Sequence, residues 1–257
     1  MPLDNLEFLS ITDQAQDFPM HYHDTFCISY VRSGIEQTQL QHQTLLCSAG
    51  AISITHPYEV HTTPVLDKDI GVSFDTLYLS NDVVKFFLNG KTLHFSERVI
   101  HDNTLIRLFF QLKEAQEKHD LSITEQYLKN FIRQLSLYST VSAYQYDDCI
   151  RDFNTITCYI ENNLTQKISL EDLAKIANIN KFSFTRKFRT ETGLTPINYL
   201  LMKKIMAAKT AIQKNSELTQ IAYQYNFTDM AHFSRTFKRY IGISPKVFQD
   251  RLIPVLK

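Results

Sequence analysis

The chain has 257 residues, 44% hydrophobic and 12% aromatic, enough for one large or two ordinary domains with real cores. No apolar run approaches the ~20 residues of a membrane helix. The N-terminal MPLDNLEFLS lacks a basic stretch ahead of an apolar one, so no secretory signal is expected.

Four cysteines, Cys27, Cys47, Cys149 and Cys158, contain no CxxC pair, which fits a reducing cytoplasm better than a disulfide scaffold. The net charge of zero conceals a split. Residues 1–146 carry 10 Lys and Arg against 17 Asp and Glu, a balance of −7; residues 147–257 carry 17 against 10, a balance of +7. Eight of the nine histidines lie in the first part. Two domains are expected, 1–146 and 147–257, the basic one suited to a polyanion.

The first part reads as strands. TFCISYVRSGIEQTQLQ (25–41) is β-branched and aromatic, and Ser33 and Gly34 break it into two strands with a tight turn. GAISITHPYEV (50–60) and IGVSFDTLYLS (70–80) add two more, predicting a small antiparallel barrel or sandwich. The period then becomes helical. Segment 103–118 puts Ile106, Phe109, Phe110 and Leu112 on one stripe, with Leu105 and Leu108 beside it. Segment 124–144 does the same with Tyr127, Leu128, Phe131, Ile132, Leu135 and Tyr138. These two helices either cover the strands or serve a homodimer interface.

His21 and His23 are two apart on a strand and share a face, with Cys27 in phase; His56 and His61 flank a later strand end. These five residues are the candidate effector pocket. Neutral imidazoles also ligate metals, and His21, His23 and His61 form the alternative, metal-binding set. The His-x-His followed by a G…P..VH segment resembles the two motifs of the cupin barrel. Cupin enzymes usually carry Glu where Cys27 falls and hold more glycine. That departure points to a metal-free pocket with no cofactor and no enzymatic activity. A cupin-like metal-binding protein or enzyme with a DNA-binding appendage is the alternative; a redox sensor using Cys27 and Cys47 is a third reading.

In the second part, 147–164 has Ile150, Phe153, Ile156, Ile160 and Leu164 at helical spacing. Ser169 and Asp172 then form a capping box that opens a helix buried through Leu170, Leu173, Ala174, Ile176 and Ala177. Asn178 stands where a left-handed residue must stop it. Asn180 or its neighbour caps a second helix, 181–192, with Phe184 and Phe188 inward; Gly193 ends it, and Thr195 and Pro196 start another. This is a helix-turn-helix, whose second helix enters the DNA major groove.

Residues 218–245 repeat the pattern. Leu218, Ile221, Ala222 and Asn226 match Leu170, Leu173, Ala174 and Asn178 at an offset of 48. Phe233, Arg235, Phe237, Gly242 and Pro245 match Phe184, Arg186, Phe188, Gly193 and Pro196 at 49. A linking helix, 197–215, joins the copies through Leu200, Leu201, Ile205, Ala208 and Ile212.

Helix phase selects the outward, DNA-facing residues: Lys181, Phe182, Thr185, Arg186 and Arg189 in the first copy; Met230, Ala231, His232, Ser234, Arg235 and Lys238 in the second. Arg186 and Arg235 are the expected base readers, since Arg clamps guanine bidentately. Lys181, Lys187, Lys203, Lys204, Lys238, Arg239 and Lys246 are expected at phosphates or in solvent. Phase leaves Phe182 undecided between an exposed position and one tucked against the linking helix.

The segments SLEDLAKIANINKFSFTRKFRTETGLTPINYL and LTQIAYQYNFTDMAHFSRTFKRYIGISPKVF resemble the DNA-binding domain of the AraC/XylS family of bacterial transcription regulators. The family usually has Gly where Asn178 and Asn226 stand, and a small polar cap where Glu217 stands, which leaves Ser216 as a substitute. The first part is similar to the family's cupin-type sensor. The resemblance implies an α+β two-domain protein: an N-terminal antiparallel β-barrel with two following helices, then an all-α double helix-turn-helix domain. It implies a cytoplasmic, effector-responsive regulator that binds double-stranded promoter DNA, takes a small-molecule effector, forms a homodimer through helix 103–118 or 124–144, and contacts RNA polymerase. No membrane association is expected.

Overall fold

The computed structural model describes residues 6–146, 153–214 and 216–252. In chain order the first elements are β1 (Glu7–Gln14), β2 (Phe18–His21), β3 (Thr25–Ser33), β4 (Ile35–Gln39), β5 (Thr44–Ser48), β6 (Ile52–Thr55), β7 (His61–Thr63) and β8 (Val72–Ser80). Then come α1 (Asn81–Phe87), β9 (Thr92–His94), β10 (Val99–Ile100), α2 (Asn103–Glu117), α3 (Leu121–Ser136) and β11 (Thr140–Ser142). The remainder is helical: α4 (Asn154–Asn162), α5 (Leu170–Ile176), α6 (Lys181–Thr192), α7 (Pro196–Gln213), α8 (Leu218–Gln224), α9 (Met230–Ile241) and α10 (Pro245–Leu252).

Two compact units emerge. One comprises Met1–Ala15, Tyr22–Glu59 and Thr63–Asp148; the other comprises Gln16–His21, Val60–Thr62 and Cys149–Lys257.

The first unit is built on an antiparallel sheet of order β1-β8-β3-β6-β10. Strand alternation gives the sheet two unlike faces. Phe26, Ile28, Ile52, Ile54, Leu77 and Leu79 pack under α2 and α3 against Leu105, Phe109, Leu112, Leu128, Phe131 and Leu135, all almost fully buried. The opposite face carries Glu7, Cys27, Ser29, Ser53, Thr55, Thr76 and Tyr78.

Three expectations for this unit are corrected. The strands on either side of Gly34 do not pair. β3 pairs with β8 and β6, whereas β4 pairs with β5. Gly34, at φ 76°, sends the chain out of one sheet into another, and a Cβ there would lie 2.4 Å from the Gly71 carbonyl. In α2 the buried positions are Leu105, Phe109, Leu112 and Ala115, while Phe110 is 37% exposed. α3 starts at Leu121 and ends at Ser136, so Tyr138 falls beyond it and is exposed.

In the second unit the local signals fall where the sequence places them. Ser169 and Asp172 make a complete capping box on α5. Asn178 and Asn226 take φ of 55° and 57°. Asn180 caps α6 through Ser183 N–H, Gly193 ends it at φ 75°, and Thr195 caps α7 ahead of Pro196. In the second copy Asp229 caps α9 and Gly242 ends it at φ 89°. Phe184, Phe188, Phe233 and Phe237 are fully buried. Four readings differ. Ile176 is 39% exposed because α5 is only seven residues long and its last turn leaves the core. Leu170 and Ala177 are only half-buried. The N-cap of α8 is Glu217, which makes no side-chain cap bond, so Ser216 does not substitute. The first helix of this part runs Asn154–Asn162; Leu164 lies past its end, and Ile150 lies outside the described residues.

Candidate DNA-binding surface and sensor interior

Each reading helix is held by the same physical device. On α6, Phe184 and Phe188 stack edge to face at 5.7 Å and lock the inner side. On α9, Phe233 and Phe237 do the same at 5.7 Å. With the aromatic pair inward, helix phase turns the basic positions out. Lys181, Phe182, Arg186 and Arg189 are exposed on α6, as are Ala231, Arg235 and Lys238 on α9. Thr185, Met230, His232 and Ser234 are half-buried. Arg186 and Arg235 are each the sixth residue of their helix. No described acidic side chain lies within ion-pair distance of either.

Phe182 is resolved: it is 78% exposed. Lys181, Phe182, Thr185, Arg186 and Arg189 line one hollow of about 700 Å³, closed by Leu170 of α5 and by Thr195. Thr185 spends its hydroxyl on the Lys181 carbonyl at 2.8 Å, leaving its methyl as the group it can offer. Lys181 is drawn to Glu171 at 2.8 Å. On α9, Thr228 Oγ1 lies 3.1 Å from His232 Nδ1, which orients that ring.

The basic residues expected at phosphates or in solvent divide. Lys187, Arg239 and Lys246 are exposed. Lys203 is engaged with Glu161 at 2.6 Å. Lys204 is not a solvent charge: it is 6% exposed, because its position on α7 faces inward with Leu200 and Ala208 one turn either side.

The candidate pocket residues are not brought together as one set. His56 lies in an aromatic cluster, stacked on His94 at 4.8 Å, and its Nε2 accepts the Phe95 N–H at 3.0 Å. Burial, then Arg98, then His94 hold its pKa down to about 2, so it is a neutral structural acceptor. His21 and His61 belong to the second unit, with rings 4.3 Å apart. His21 donates from Nδ1 to the Pro19 carbonyl at 2.7 Å, and burial, then His61, hold it at about 3. His23 and Cys27 belong to the first unit.

Within the first unit, strand register aligns two cross-sheet rows. Glu7, Tyr78, Cys27 and Thr55 form one, with the His23 ring 5.1 Å from Tyr78. Leu9, Thr76, Ser29 and Ser53 form the other. Ser29 and Thr76 hydroxyls meet at 2.7 Å. From the β4–β5 hairpin, Glu36 accepts the Ser53 hydroxyl and stands across from Cys47. Burial pushes the Glu36 carboxyl up to about 7. Burial, then Glu36, pushes the Cys47 thiol up to about 12, so little reactive thiolate forms there. Sequence reading missed Glu36, Ser53, Ser29, Thr76 and Tyr78. The available signal was the period-two placement of Ser29 and Ser53 between Ile28, Ile52 and Ile54.

Two family models match. A helix-turn-helix domain matches residues 173–251, and an AraC-like ligand binding domain matches 5–131. The chain is 26% identical to the HTH-type transcriptional activator RhaS of Enterobacter sp. (strain 638) over 245 residues, covering 89% of this chain and 86% of the relative. It is 24% identical to the uncharacterized HTH-type transcriptional regulator YbfI of Bacillus subtilis (strain 168) over 226 residues, covering 84% and 82%. ToxT from Vibrio cholerae O395 shares the fold, with a TM-score of 0.60 over 98% of this chain and 100% of that one at 13% identity. Paired helix-turn-helix units, a sheet domain carrying two helices, and matches to both family models identify the chain as a DNA-binding transcriptional regulator of the AraC/XylS family.

Proposed function

We propose that this regulator reads promoter DNA with α6 and α9 in successive major grooves and answers to a small polar effector held on the inner face of its sheet. The observation that carries the DNA reading is the matched pair Arg186 and Arg235, each exposed, each sixth in a helix pinned by two buried phenylalanines. α7 joins the two heads with 18 residues. At about 1.5 Å each these span about 27 Å, somewhat less than one turn of B-DNA.

The effector reading is supported by the inner face of the sheet. Hydroxyls, a carboxyl and a phenol are concentrated there, while the face under α2 and α3 is mainly apolar, with Asp75 paired to Lys113 at 2.7 Å as its charged exception. ToxT is known with an unsaturated fatty acid bound; the polar rows here suit a smaller, hydrogen-bonding ligand. The raised pKa of Cys47 disfavours the redox reading. Exposed Leu121 and Ile123 on α3 and Phe110 on α2 support these helices as a homodimer surface. Contact with RNA polymerase and a cytoplasmic location follow from the family's role.

A genome-wide map of bound fragments tests the reading. Two short conserved blocks about 10 base pairs apart are expected. A single block, or none, would refute the two-groove arrangement. The genes beside the bound sites name the pathway from which to choose candidate effectors.

A further inference from the structure

Lys204 is buried on α7, 6% exposed, and has no hydrogen-bond or ion-pair partner among the described residues. Burial lowers its pKa. A buried ammonium without a partner is costly, so such a group is retained where something else meets it. Lys204 lines a recess of about 200 Å³ within the second unit.

The floor of the recess is α7, through Ile197, Leu200, Leu201 and Lys204. One wall is Lys167 and Ile168, just ahead of α5. The other is the turn Tyr225, Asn226 and Phe227, with His232 beside it. Tyr225 is 9% exposed and its hydroxyl has no partner among the described residues. Lys167 is exposed and equally unpaired. No carboxylate lines the recess. Asn226 donates to the Thr165 carbonyl at 2.7 Å, so the turn of the second reading head is tied to the chain entering the first.

We propose that this recess is an oxyanion site for a phosphate group, gripped by Lys204 and Lys167 with the Tyr225 hydroxyl as a further donor. Two ammonium groups and a phenol, with no competing acid, match the charge and acceptor count of a tetrahedral oxyanion. Because its walls come from both helix-turn-helix copies and its floor from the helix linking them, an occupant fixes one head relative to the other. The phosphate has two sources: the DNA backbone between the heads, or a free phosphate in solution.

The full chain and three variants separate these. Lys204→Met removes the charge and keeps the volume, and Tyr225→Phe removes only the hydroxyl. Lys91→Met, on the surface of the first unit, is the control. Thermal melting is followed against inorganic phosphate at constant ionic strength, and binding to a 40-base-pair duplex of random sequence against salt. If the source is free phosphate, the native protein's melting temperature rises with phosphate and saturates; Lys204→Met abolishes the rise, Tyr225→Phe weakens it, and Lys91→Met keeps it. If the source is DNA, Lys204→Met lowers affinity about fivefold on every sequence and reduces the salt slope by about one, and Tyr225→Phe does so more weakly. If both Lys204→Met and Tyr225→Phe leave the phosphate response and the salt slope as in the native protein, the proposal is wrong.

Discussion

Asn178 and Asn226 hold the same left-handed backbone position, φ 55° and 57°, in two helix-turn-helix units 48 residues apart, yet only Asn226 uses its side chain, donating to the Thr165 carbonyl. The two should therefore respond differently to substitution. A Cβ in the left-handed region costs about 1–2 kcal/mol, a cost that Asn softens by local hydrogen bonding. Asn178→Gly should be neutral or stabilising by up to about 1 kcal/mol. Asn226→Gly should gain less, or lose, because a hydrogen bond worth about 1 kcal/mol goes with it. Urea denaturation of the two variants checks this; equal effects would mean the Thr165 bond contributes nothing.

Arg186→Ala and Arg235→Ala should each cost about 1–3 kcal/mol at the specific site and relax base preference in different blocks of it. Selection from a randomised duplex library reads this directly. Uniform weakening on all sequences would reassign both residues to phosphates.

Glu36 should make the first unit less stable as pH rises. Its folded pKa is raised, to about 7 against an ordinary 4.5, so the folded form holds the proton more tightly. The contribution is full below pH 4.5 and is lost progressively up to about 7. Between pH 6 and 8 the native protein should lose on the order of 1 kcal/mol that Glu36→Gln does not. Parallel pH profiles for the two proteins would show that Glu36 is hydrated.

The buried histidines act in the opposite direction. His21 and His56 have folded pKa values depressed to about 3 and about 2, so their contribution is present above the unfolded value of 6.5 and is lost as pH falls below it. Each should cost about 1.4 kcal/mol per pH unit below about 6. His56→Gln, whose amide oxygen can still accept the Phe95 N–H, should flatten the acid limb by one such slope. An unchanged limb would place the acid sensitivity elsewhere.

The second unit was largely legible in its sequence because its determinants are local. Ser169 with Asp172, Asn180, Gly193, Thr195 with Pro196, and Gly242 each fix a helix end through groups within three or four residues. The i, i+4 phenylalanine pairs then fix which side faces in. The whole pattern is written twice, which sharpens every position. Lys204 was misplaced because a lysine's charge says nothing about its helix phase. Only packing around α7 shows that position 204 lies between Leu200 and Ala208 on the buried side.

In the first unit, the sequence by itself determined that strands form and where two helices follow. It did not determine which strand pairs with which. β3 and β4 are neighbours in sequence but sit in different sheets, since pairing is a contact between distant residues. The histidines stood out as rare, reactive side chains, but chemistry without register could not say which would meet. Only the tertiary structure put Ser29 beside Thr76 and Ser53 beside Glu36, and it turned His56 into an acceptor for a backbone N–H. Helix ends are decided within a turn of chain; the composition of a sheet's inner face is decided by strands brought together from across the fold.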